Sequence, residues 1–212
     1  MRIFLLFLLV MAGDRLIAQS DWSLKRDKDG IRVYSRSSDH SKFNEIRAEF
    51  SMHASLSELA AVMLDAEDHV QWQYSTKSSY LLQRVSESEL YFYNEINAPW
   101  PVANRDLIVH LTITQNPATR VMTMAAVCTP GFSPVHPSIV RVPVSKAVWT
   151  VTPVTGDSLR VEYVMEIDPG GSVPAWLINM FATKGPYESF RNLRQQVLLP
   201  KYQQARLSFI TN

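Results

Sequence analysis

Arg105 is the residue of this sequence whose chemistry is hardest to explain by folding alone. If a strand is regular from Arg105 onward, its side chain shares one face with four aliphatic residues, Leu107, Val109, Leu111 and Ile113. A face with so many aliphatic side chains is the covered side of a sheet, so we expect the guanidinium to be buried. A buried guanidinium without a partner destabilises a fold strongly, so it requires an acid, carbonyl groups, water or a ligand.

Glu95 is the nearest candidate acid for Arg105, because it belongs to the preceding strand. We therefore predict that Glu95 and Arg105 form a polar spot within an apolar interior. Such a spot would orient a hydroxyl, carbonyl or phosphate group of a ligand. The alternative is that the strand bends at Asn104, in which case Arg105 only holds a loop in place.

The residues that could support catalysis are scattered along the chain. Cys128 and His136 share one loop, but no acid is placed to orient the imidazole. The other histidines show no metal-ligand spacing, and we expect His40 and His69 to be exposed. The sequence has no glycine-rich phosphate loop or dinucleotide fingerprint. We therefore predict no catalytic residue, no metal ion and no cofactor.

The elements that position these residues are mostly short strands. Patterns of β-rich residues bounded by turns predict strands near residues 31–34, 43–52, 80–85, 89–97, 106–114, 119–127, 139–152 and 159–168. Ser55 or Ser57 is expected to cap a helix that runs to Leu64, followed by a short helical turn that ends near Trp72. Residues 25–30 form a charged turn in this interpretation. Short connections such as Asn116–Thr119 predict an antiparallel sheet, since parallel neighbours need long crossovers.

The last part of the chain predicts the element that covers this sheet. Asp168–Pro174 is a lead-in in which Ser172 can cap a helix and Pro174 occupies the first helical position. Apolar residues then recur at helical spacing to about Leu207, and Gly185-Pro186 predicts a kink or a join between two helices. We therefore predict an α+β fold in which a strongly curved antiparallel sheet grips a long C-terminal helix.

The N-terminal residues 1–18 have the pattern of a secretory signal peptide. Arg2 precedes an apolar run from Ile3 to Ala12, and Ala18 is a small residue at the expected cleavage point. The run is shorter than the roughly 20 residues that a membrane span needs. An uncleaved amphipathic anchor is the alternative. We expect residues 19–212 to form one domain that is secreted or periplasmic.

Charge and cysteine content limit the partners of the exported chain. Removal of residues 1–18 lowers the number of basic residues from 21 to 19 and of acidic residues from 20 to 19. A chain this close to neutral lacks the positive charge that nucleic acid binding requires, so we predict no nucleic acid partner. Cys128 is the only cysteine, so no intrachain disulfide can form. We expect the protein to be a monomer.

Several stretches occur in an order that is typical of a known family. Asn97–Asp106 contains two prolines and an Arg-Asp pair, Ala147–Pro153 contains a central tryptophan, and Asp168–Leu177 leads into the last helix. Trp72 follows the short second helical segment. In this order they resemble the StAR-related lipid-transfer (START) domain family of the helix-grip (Bet v 1-like) superfamily, and the chain is similar to an exported bacterial member. Ala147 stands where this family usually has glycine, and the turn Asn116–Thr119 is short, which leaves the size and the entry route of a ligand open.

The resemblance implies a hydrophobic tunnel between the sheet and the helix that binds one lipid or sterol-like molecule. It implies non-catalytic binding and transfer of that molecule, with transient membrane contact. The residues that could line the tunnel are Glu95, Arg105, Trp149, Tyr163, Met165, Trp176, Met180, Phe181 and Tyr187. For each aromatic or methionine residue among them, ordinary core packing is the alternative, because pattern does not distinguish a core from a cavity wall.

Two other functions are compatible with the same resemblance. One is a helix-grip enzyme of the polyketide cyclase or aromatase type, which works by cavity shape and a few polar groups. The other is a module that senses a ligand without moving it. The irregular segment Cys128–Pro137, which is rich in proline, is either a lid over one tunnel mouth or a plain surface loop.

Overall fold

The computed structural model describes residues 22–38 and 41–212. The predicted signal peptide, residues 1–18, lies outside this part, as do the side chains of Trp176 and Met180. The described elements are β1 (Ser23–Lys28), β2 (Ile31–Arg36), β3 (Glu45–His53), α1 (Leu56–Leu64), a 3-10 turn (Ala66–Asp68), α2 (His69–Trp72), β4 (Thr76–Ser86), β5 (Glu89–Ile96), β6 (Arg105–Gln115), β7 (Met122–Cys128), a second 3-10 turn (Pro130–Phe132), β8 (Val140–Arg141), β9 (Val144–Pro153), β10 (Ser158–Asp168) and α3 (Ala175–Gln196).

The strands form one sheet, as the short connections predict. Nine of them lie in the order β1-β2-β3-β10-β9-β7-β6-β5-β4, each antiparallel to its neighbours. The two-residue strand β8 pairs in parallel with the start of β6. The predicted α+β fold with an antiparallel sheet and a C-terminal helix is confirmed.

Helix α1 begins where a capping box satisfies its free backbone donors. The hydroxyl of Ser55 accepts a hydrogen bond from the Glu58 amide, and the Glu58 carboxylate accepts one from the Ser55 amide. Ser55 is therefore the cap of the two serines considered. The 3-10 turn and α2 follow at once and end at Trp72, as predicted.

Helix α3 packs on one face of the sheet, but its bounds differ from the prediction. It begins after Pro174, and no side chain caps it, so the predicted Ser172 cap is wrong. It runs through Pro186 as one element and ends at Gln196, short of the predicted Leu207. Pro200 accounts for the helix not continuing to Leu207, because its ring disfavours helical conformation in the residue before it.

Two other segments differ from the sequence prediction. Residues 25–28, predicted as a charged turn, belong to β1, because an edge strand tolerates charged side chains that reach solvent. The predicted strand over 139–152 is divided into β8 and β9 by Pro143, which cannot donate a ladder hydrogen bond. Within the part of the chain that the structure describes, no helix has the length and apolar character needed to cross a bilayer.

Candidate functional site

A cavity of about 560 Å³ lies between the concave face of the sheet and α3. This volume is several times the roughly 150 Å³ that an engineered core cavity leaves. It lies within the range of about 300–1,000 Å³ that is typical of small-molecule sites. The final helix therefore covers the sheet without filling the space beneath it.

Small side chains at the centre of the sheet explain why this space stays open. One row of directly paired residues crosses six strands and lines the cavity; it consists of Leu111, Ala126, Ala147, Met165, Ile46 and Ser35. Ala126 and Ala147 occupy the middle of this row, on β7 and β9. Because alanine has only a Cβ atom, the centre of the sheet lacks the bulk that would otherwise reach α3.

Helix α3 divides into a half that lines the cavity and a half that belongs to the core. Leu177, Phe181 and Pro186 lie on the cavity wall, and Phe190 and Leu193 are almost fully buried in the packed core. The Phe190 ring stacks on Phe50 and meets the rings of Trp149 and Tyr163 edge-on. Trp149 and Tyr163 therefore form the floor between cavity and core.

Most of the predicted tunnel residues whose side chains are described line this cavity. Arg105, Trp149, Tyr163, Met165 and Phe181 are among its wall residues. The side chains of Trp176 and Met180 lie outside the described part.

Tyr187 is not on the wall. Its hydroxyl donates a hydrogen bond to Asp29, and Arg26 lies 4.0 Å from its ring centre, so it packs against the turn between β1 and β2.

Arg105 is 8% exposed and lies on the cavity wall, as the strand pattern predicted. Its Nη1 donates to the Ala103 carbonyl at 2.6 Å, and its Nη2 donates to the Gly170 carbonyl at 3.4 Å. Its Nε is buried and has no hydrogen-bond partner among the described residues. Burial lowers the pKa of this guanidinium. Arg105 therefore holds two loops, as the alternative interpretation expected, and still has a free donor in the interior.

Gly170 permits this contact between the lead-in of α3 and β6. It has φ +68°, and a Cβ atom there would lie 3.1 Å from Pro143 and 3.2 Å from the Arg141 carbonyl. A larger residue would be strained and crowded at this position. The Gly170 carbonyl is thereby held against Arg105.

The predicted pairing of Glu95 with Arg105 is corrected by the strand register. Glu95 lies opposite Asp106, and Arg105 lies opposite Ile96, so the acid and the guanidinium point to opposite faces of the sheet. The Glu95 carboxylate instead accepts hydrogen bonds from Lys77 at 2.9 Å and from the Asn104 side chain at 2.7 Å. Glu95 is not among the residues of the cavity wall.

A buried ion pair on the outer face of the sheet was missed by the sequence prediction. Asp106 is fully buried, and its two carboxylate oxygens accept from Nε and Nη2 of Arg141 at 2.7 and 3.0 Å. This pairing raises the pKa of Arg141. No sequence signal distinguishes such a pair, because Arg141 is distant from Asp106 along the chain and lies on a two-residue strand after an irregular segment.

Apart from Cys128, which lines the cavity, the segment Cys128–Pro137 lies against the outer face of the sheet. Arg141 donates to the carbonyls of Pro130, Ser133 and Pro134, and Phe132 stacks on Tyr91 with 4.3 Å between the ring centres. Tyr91 alternates with Phe92, which lines the cavity, so its side chain points away from the interior. These contacts support the surface-loop interpretation of this segment.

His69 is fully buried on the cavity wall, which corrects the prediction that it is exposed. Its Nε2 lies 3.1 Å from the Met63 carbonyl, so this nitrogen carries the hydrogen, and Nδ1 has no hydrogen-bond partner among the described residues. Burial lowers the pKa of His69 to about 4, so the ring is neutral at pH 7.

Trp72 and Asn94 provide further polar atoms on the wall of the same cavity. Both residues line the cavity, and the Trp72 Nε1 and Asn94 Oδ1 atoms lack hydrogen-bond partners within residues 22–38 and 41–212. The side-chain amide of Asn94 donates to Gln73 at 2.6 Å. Asn94 lies on the same face of β5 as Phe92 and Ile96, at a spacing of two residues that could have indicated its position from the sequence.

The cavity offers little support for nucleophilic chemistry. Cys128 lines it, but burial raises the pKa of the thiol, which donates to the Val142 carbonyl at 3.3 Å. A protonated thiol is a weak nucleophile. In the described residues, no three His, Cys, Asp or Glu side chains are grouped as metal ligands. The arrangement can instead surround an apolar molecule and offer hydrogen bonds to its polar groups.

Comparisons with known proteins agree with this geometry. The START domain model matches residues 11–201. An uncharacterized protein of Pseudomonas aeruginosa is 30% identical over 184 residues, which are 87% of this chain and 89% of that protein. The phosphatidylcholine transfer protein of Mus musculus is 26% identical over 171 residues, 78% of each chain.

A solved structure of a STAR-related lipid transfer protein from Xanthomonas axonopodis is similar over nearly its whole length. It has 34% sequence identity and a TM-score of 0.78, and the alignment covers 84% of this chain and 99% of that one. The family model, the identity to bacterial relatives and the shared fold agree. This chain belongs to the START domain family, whose name denotes StAR-related lipid transfer.

Proposed function

We propose that this protein binds one lipid or other hydrophobic molecule in the cavity between sheet and α3 and transfers it without catalysis. The observation that supports this proposal best is the cavity itself, whose wall is mostly apolar and includes the central Ala126 and Ala147. For a bound acyl chain, the apolar wall takes the place of the surrounding bilayer. Keeping each methylene of that chain out of water is worth about 0.8 kcal/mol. The relatives named as lipid transfer proteins support the same function.

Transfer requires contact with the membranes that donate and accept the ligand, and the loop between β5 and β6 fits this role. Trp100 in this loop is 91% exposed, whereas Ala98 of the same loop lines the cavity. Tryptophan favours the interface between lipid and water because it combines an apolar ring with a polar N–H group. We therefore propose that this loop touches the bilayer transiently next to the cavity.

The proposed setting is the periplasm or the exterior of the cell, with the chain acting as a monomer after removal of residues 1–18. The support is the apolar N-terminal run and its small-residue cleavage point. Mass spectrometry of the protein recovered from its native host gives the mature N-terminus, expected after Ala18. An intact N-terminus would instead favour an uncleaved anchor.

Two measurements on the full protein test the proposed function. Mild-condition mass spectrometry of protein from the native host is expected to show one lipid per chain. Transfer of a fluorescent lipid between vesicles is then expected to accelerate in its presence. A bound lipid without transfer would favour the sensing module, and an empty protein that converts a polyketide substrate would favour the cyclase or aromatase alternative.

A pair of variants links both measurements to the cavity. Ala126→Phe places a large ring at the centre of the wall and is expected to abolish lipid binding and transfer. Ala125→Phe makes the same change one residue earlier on β7, where the side chain points to the other face. Equal loss of binding in both variants would mean that the effect comes from the sheet and not from the cavity.

A further inference from the structure

We infer that the lipid is acidic and that its oxyanion, a phosphate or a carboxylate, pairs with Arg105 inside the cavity. This inference rests on the proposed function, because it names the class of molecule that the cavity holds. Its basis is the charge balance of the cavity wall and the free donor of Arg105.

The positive charge of Arg105 has no counterion in the described structure. Its two hydrogen bonds end on the backbone carbonyls of Ala103 and Gly170, which carry no net charge, and its Nε is unpartnered. Burial is the cause of its lowered pKa, and no neighbouring carboxylate contributes to that pKa. A guanidinium is protonated at any physiological pH, so the charge persists in the interior.

The carboxylates nearest along the chain are engaged elsewhere. Asp106 is on the outer face and binds Arg141 through both oxygens. Glu95 binds Lys77 on that same face. Asp168 accepts a hydrogen bond from the Gly170 amide at 2.9 Å and is not a wall residue. An oxyanion from outside the protein is therefore the remaining partner for Arg105.

The rest of the cavity wall has the same sign. Its charged residues in the described part of the chain are Lys25 and Arg105, and it contains no aspartate or glutamate there. Solvent screens the charge of the exposed Lys25, but the charge of the buried Arg105 makes such a wall favour an anion over a neutral molecule. It also gives the ammonium group of a zwitterionic headgroup no carboxylate to pair with.

The cavity wall next to Arg105 can hold the apolar part of an acidic lipid. Leu107, Val109 and Leu111 follow Arg105 on the same face of β6, and all of them line the cavity. An oxyanion at Arg105 can thus continue into an apolar chain along this strand. A guanidinium can bind either a phosphate or a carboxylate in two-point geometry, so both headgroup types belong to the inferred class.

Pairs of ligands that differ only in the headgroup test the inference on the unmodified full protein. After delipidation, oleate is expected to bind about tenfold or more tightly than oleyl alcohol, because oleyl alcohol loses the charge-assisted pair. Dioleoyl phosphatidylglycerol is expected to bind about tenfold or more tightly than dioleoyl phosphatidylcholine, because phosphatidylcholine keeps the phosphate but leaves its ammonium group without a carboxylate partner on the described wall. Cholesterol is expected to bind weakly. Comparison of oleate with phosphatidylglycerol shows whether a carboxylate or a phosphate headgroup is preferred. Competition by inorganic phosphate tests whether a free anion binds at the same place.

Each outcome decides the inference. Equal or tighter binding of oleyl alcohol, phosphatidylcholine or cholesterol would overturn it, as would inorganic phosphate competing as well as the lipids. Binding of none of these lipids would contradict the proposed function instead. Strong preference for an acidic lipid supports both.

Variants of the two wall cations assign the effect to Arg105. Arg105→Gln is expected to lower affinity for the preferred acidic lipid about tenfold and to leave oleyl alcohol binding unchanged. Arg105→Lys is expected to keep much of the preference, since it keeps the charge, and Lys25→Gln is expected to change the preference less than Arg105→Gln does, because solvent screens the exposed Lys25. Unchanged acidic-lipid binding by a folded Arg105→Gln protein would exclude the role. If that variant does not fold, the headgroup pairs on the unmodified protein decide.

Discussion

His69 shows how much one side chain depends on its surroundings in this protein. Its ring meets Phe92 and Trp72 edge-on, with centres 4.7 and 5.5 Å apart, and its Nε2 donates to the Met63 carbonyl. Water does not reach the ring, so the charged form is strongly disfavoured and the pKa falls to about 4. A histidine expected to be exposed is therefore a neutral part of the cavity wall.

The stability of the fold is expected to depend on pH through His69. The unfolded chain takes up a proton near pH 6.5, whereas the folded chain takes it up near pH 4. The contribution of His69 is therefore fully present above pH 6.5, falls as pH decreases from 6.5 to 4, and is lost below. The expected loss of unfolding free energy is on the order of 3 kcal/mol, measured by urea denaturation across this range.

Two variants separate His69 from other titrating groups. His69→Gln retains an amide donor for Met63 and is expected to show a flatter pH profile, while the exposed His53→Gln is expected to match the unmodified protein. Burial alone would raise the pKa values of Asp68 and Glu95, but hydrogen bonds from Lys201 and Lys77 keep them below their usual values. The stabilisation from these acids is therefore lost only as pH falls below the usual pKa of a carboxyl group, at the acid end of the range, and not near pH 6.5. An unchanged slope in His69→Gln would contradict the assignment.

At the scale of elements, the pair Asp106–Arg141 connects β6, β8 and the loop after β7. The two side chains are 0% and 8% exposed, and Arg141 also donates to three loop carbonyls. We expect Arg141→Met to lower the free energy of unfolding by about 3–5 kcal/mol, because it leaves the Asp106 carboxylate buried and unpaired. Urea denaturation at pH 7 measures the change.

The exposed pair Arg32–Glu49 provides the matched comparison for this loss. Arg32 is 53% exposed, and its Nη2 lies 3.1 Å from the Glu49 carboxylate. Solvent screens such a pair, so Arg32→Met is expected to change the unfolding free energy by less than about 1 kcal/mol. A similar cost for both substitutions would show that burial of Asp106 is not the cause.

The loop between β5 and β6 is expected to act in membrane contact and not in stability. Trp100→Ser should lower vesicle binding and the rate of lipid transfer several-fold, because it removes the exposed indole, and should leave the melting temperature nearly unchanged. Vesicle sedimentation and a fluorescent transfer assay measure these quantities. Val135→Ser changes an exposed apolar residue in another loop and should have no such effect. Transfer at the normal rate by Trp100→Ser would argue against this contact.

At the scale of the whole molecule, the open cavity makes stability dependent on the ligand. The core packs tightly around Phe50, Trp149 and Phe190, whereas the space on the other side of Trp149 and Tyr163 has no protein atoms. A ligand that fills this space binds only the folded state. At a free concentration of about 100 times its Kd it is expected to add about 2.7 kcal/mol.

Calorimetry of delipidated and reloaded protein tests this dependence. Delipidated protein should melt at a lower temperature, and reloading should restore the original value. The cavity-filling variant Ala126→Phe should show no response to lipid, because its ring occupies the same space. Equal melting temperatures with and without ligand in the unmodified protein would mean that the cavity does not hold it in the folded state.

The features that could be predicted from the sequence are those that depend on residues close together along the chain. Alternation placed Arg105, Leu107, Val109 and Leu111 on one covered face, and these residues do line the cavity. Helical spacing and the proline-glycine lead-in placed a long helix after β10, which the structure confirms with shorter bounds. Such features depend on backbone geometry that repeats every two or every 3.6 residues, so the sequence by itself determined them.

Contacts between distant residues were decided only by the tertiary structure. The register of β5 against β6 turned Glu95 away from Arg105, and the fold brought Arg141 to Asp106 and enclosed His69. The open space beneath α3 depends on Ala126 and Ala147 meeting across two strands that are distant in the chain. Local sequence patterns carry no information on these contacts, because the contacts depend on strand pairing and on the packing of the helix over the whole sheet.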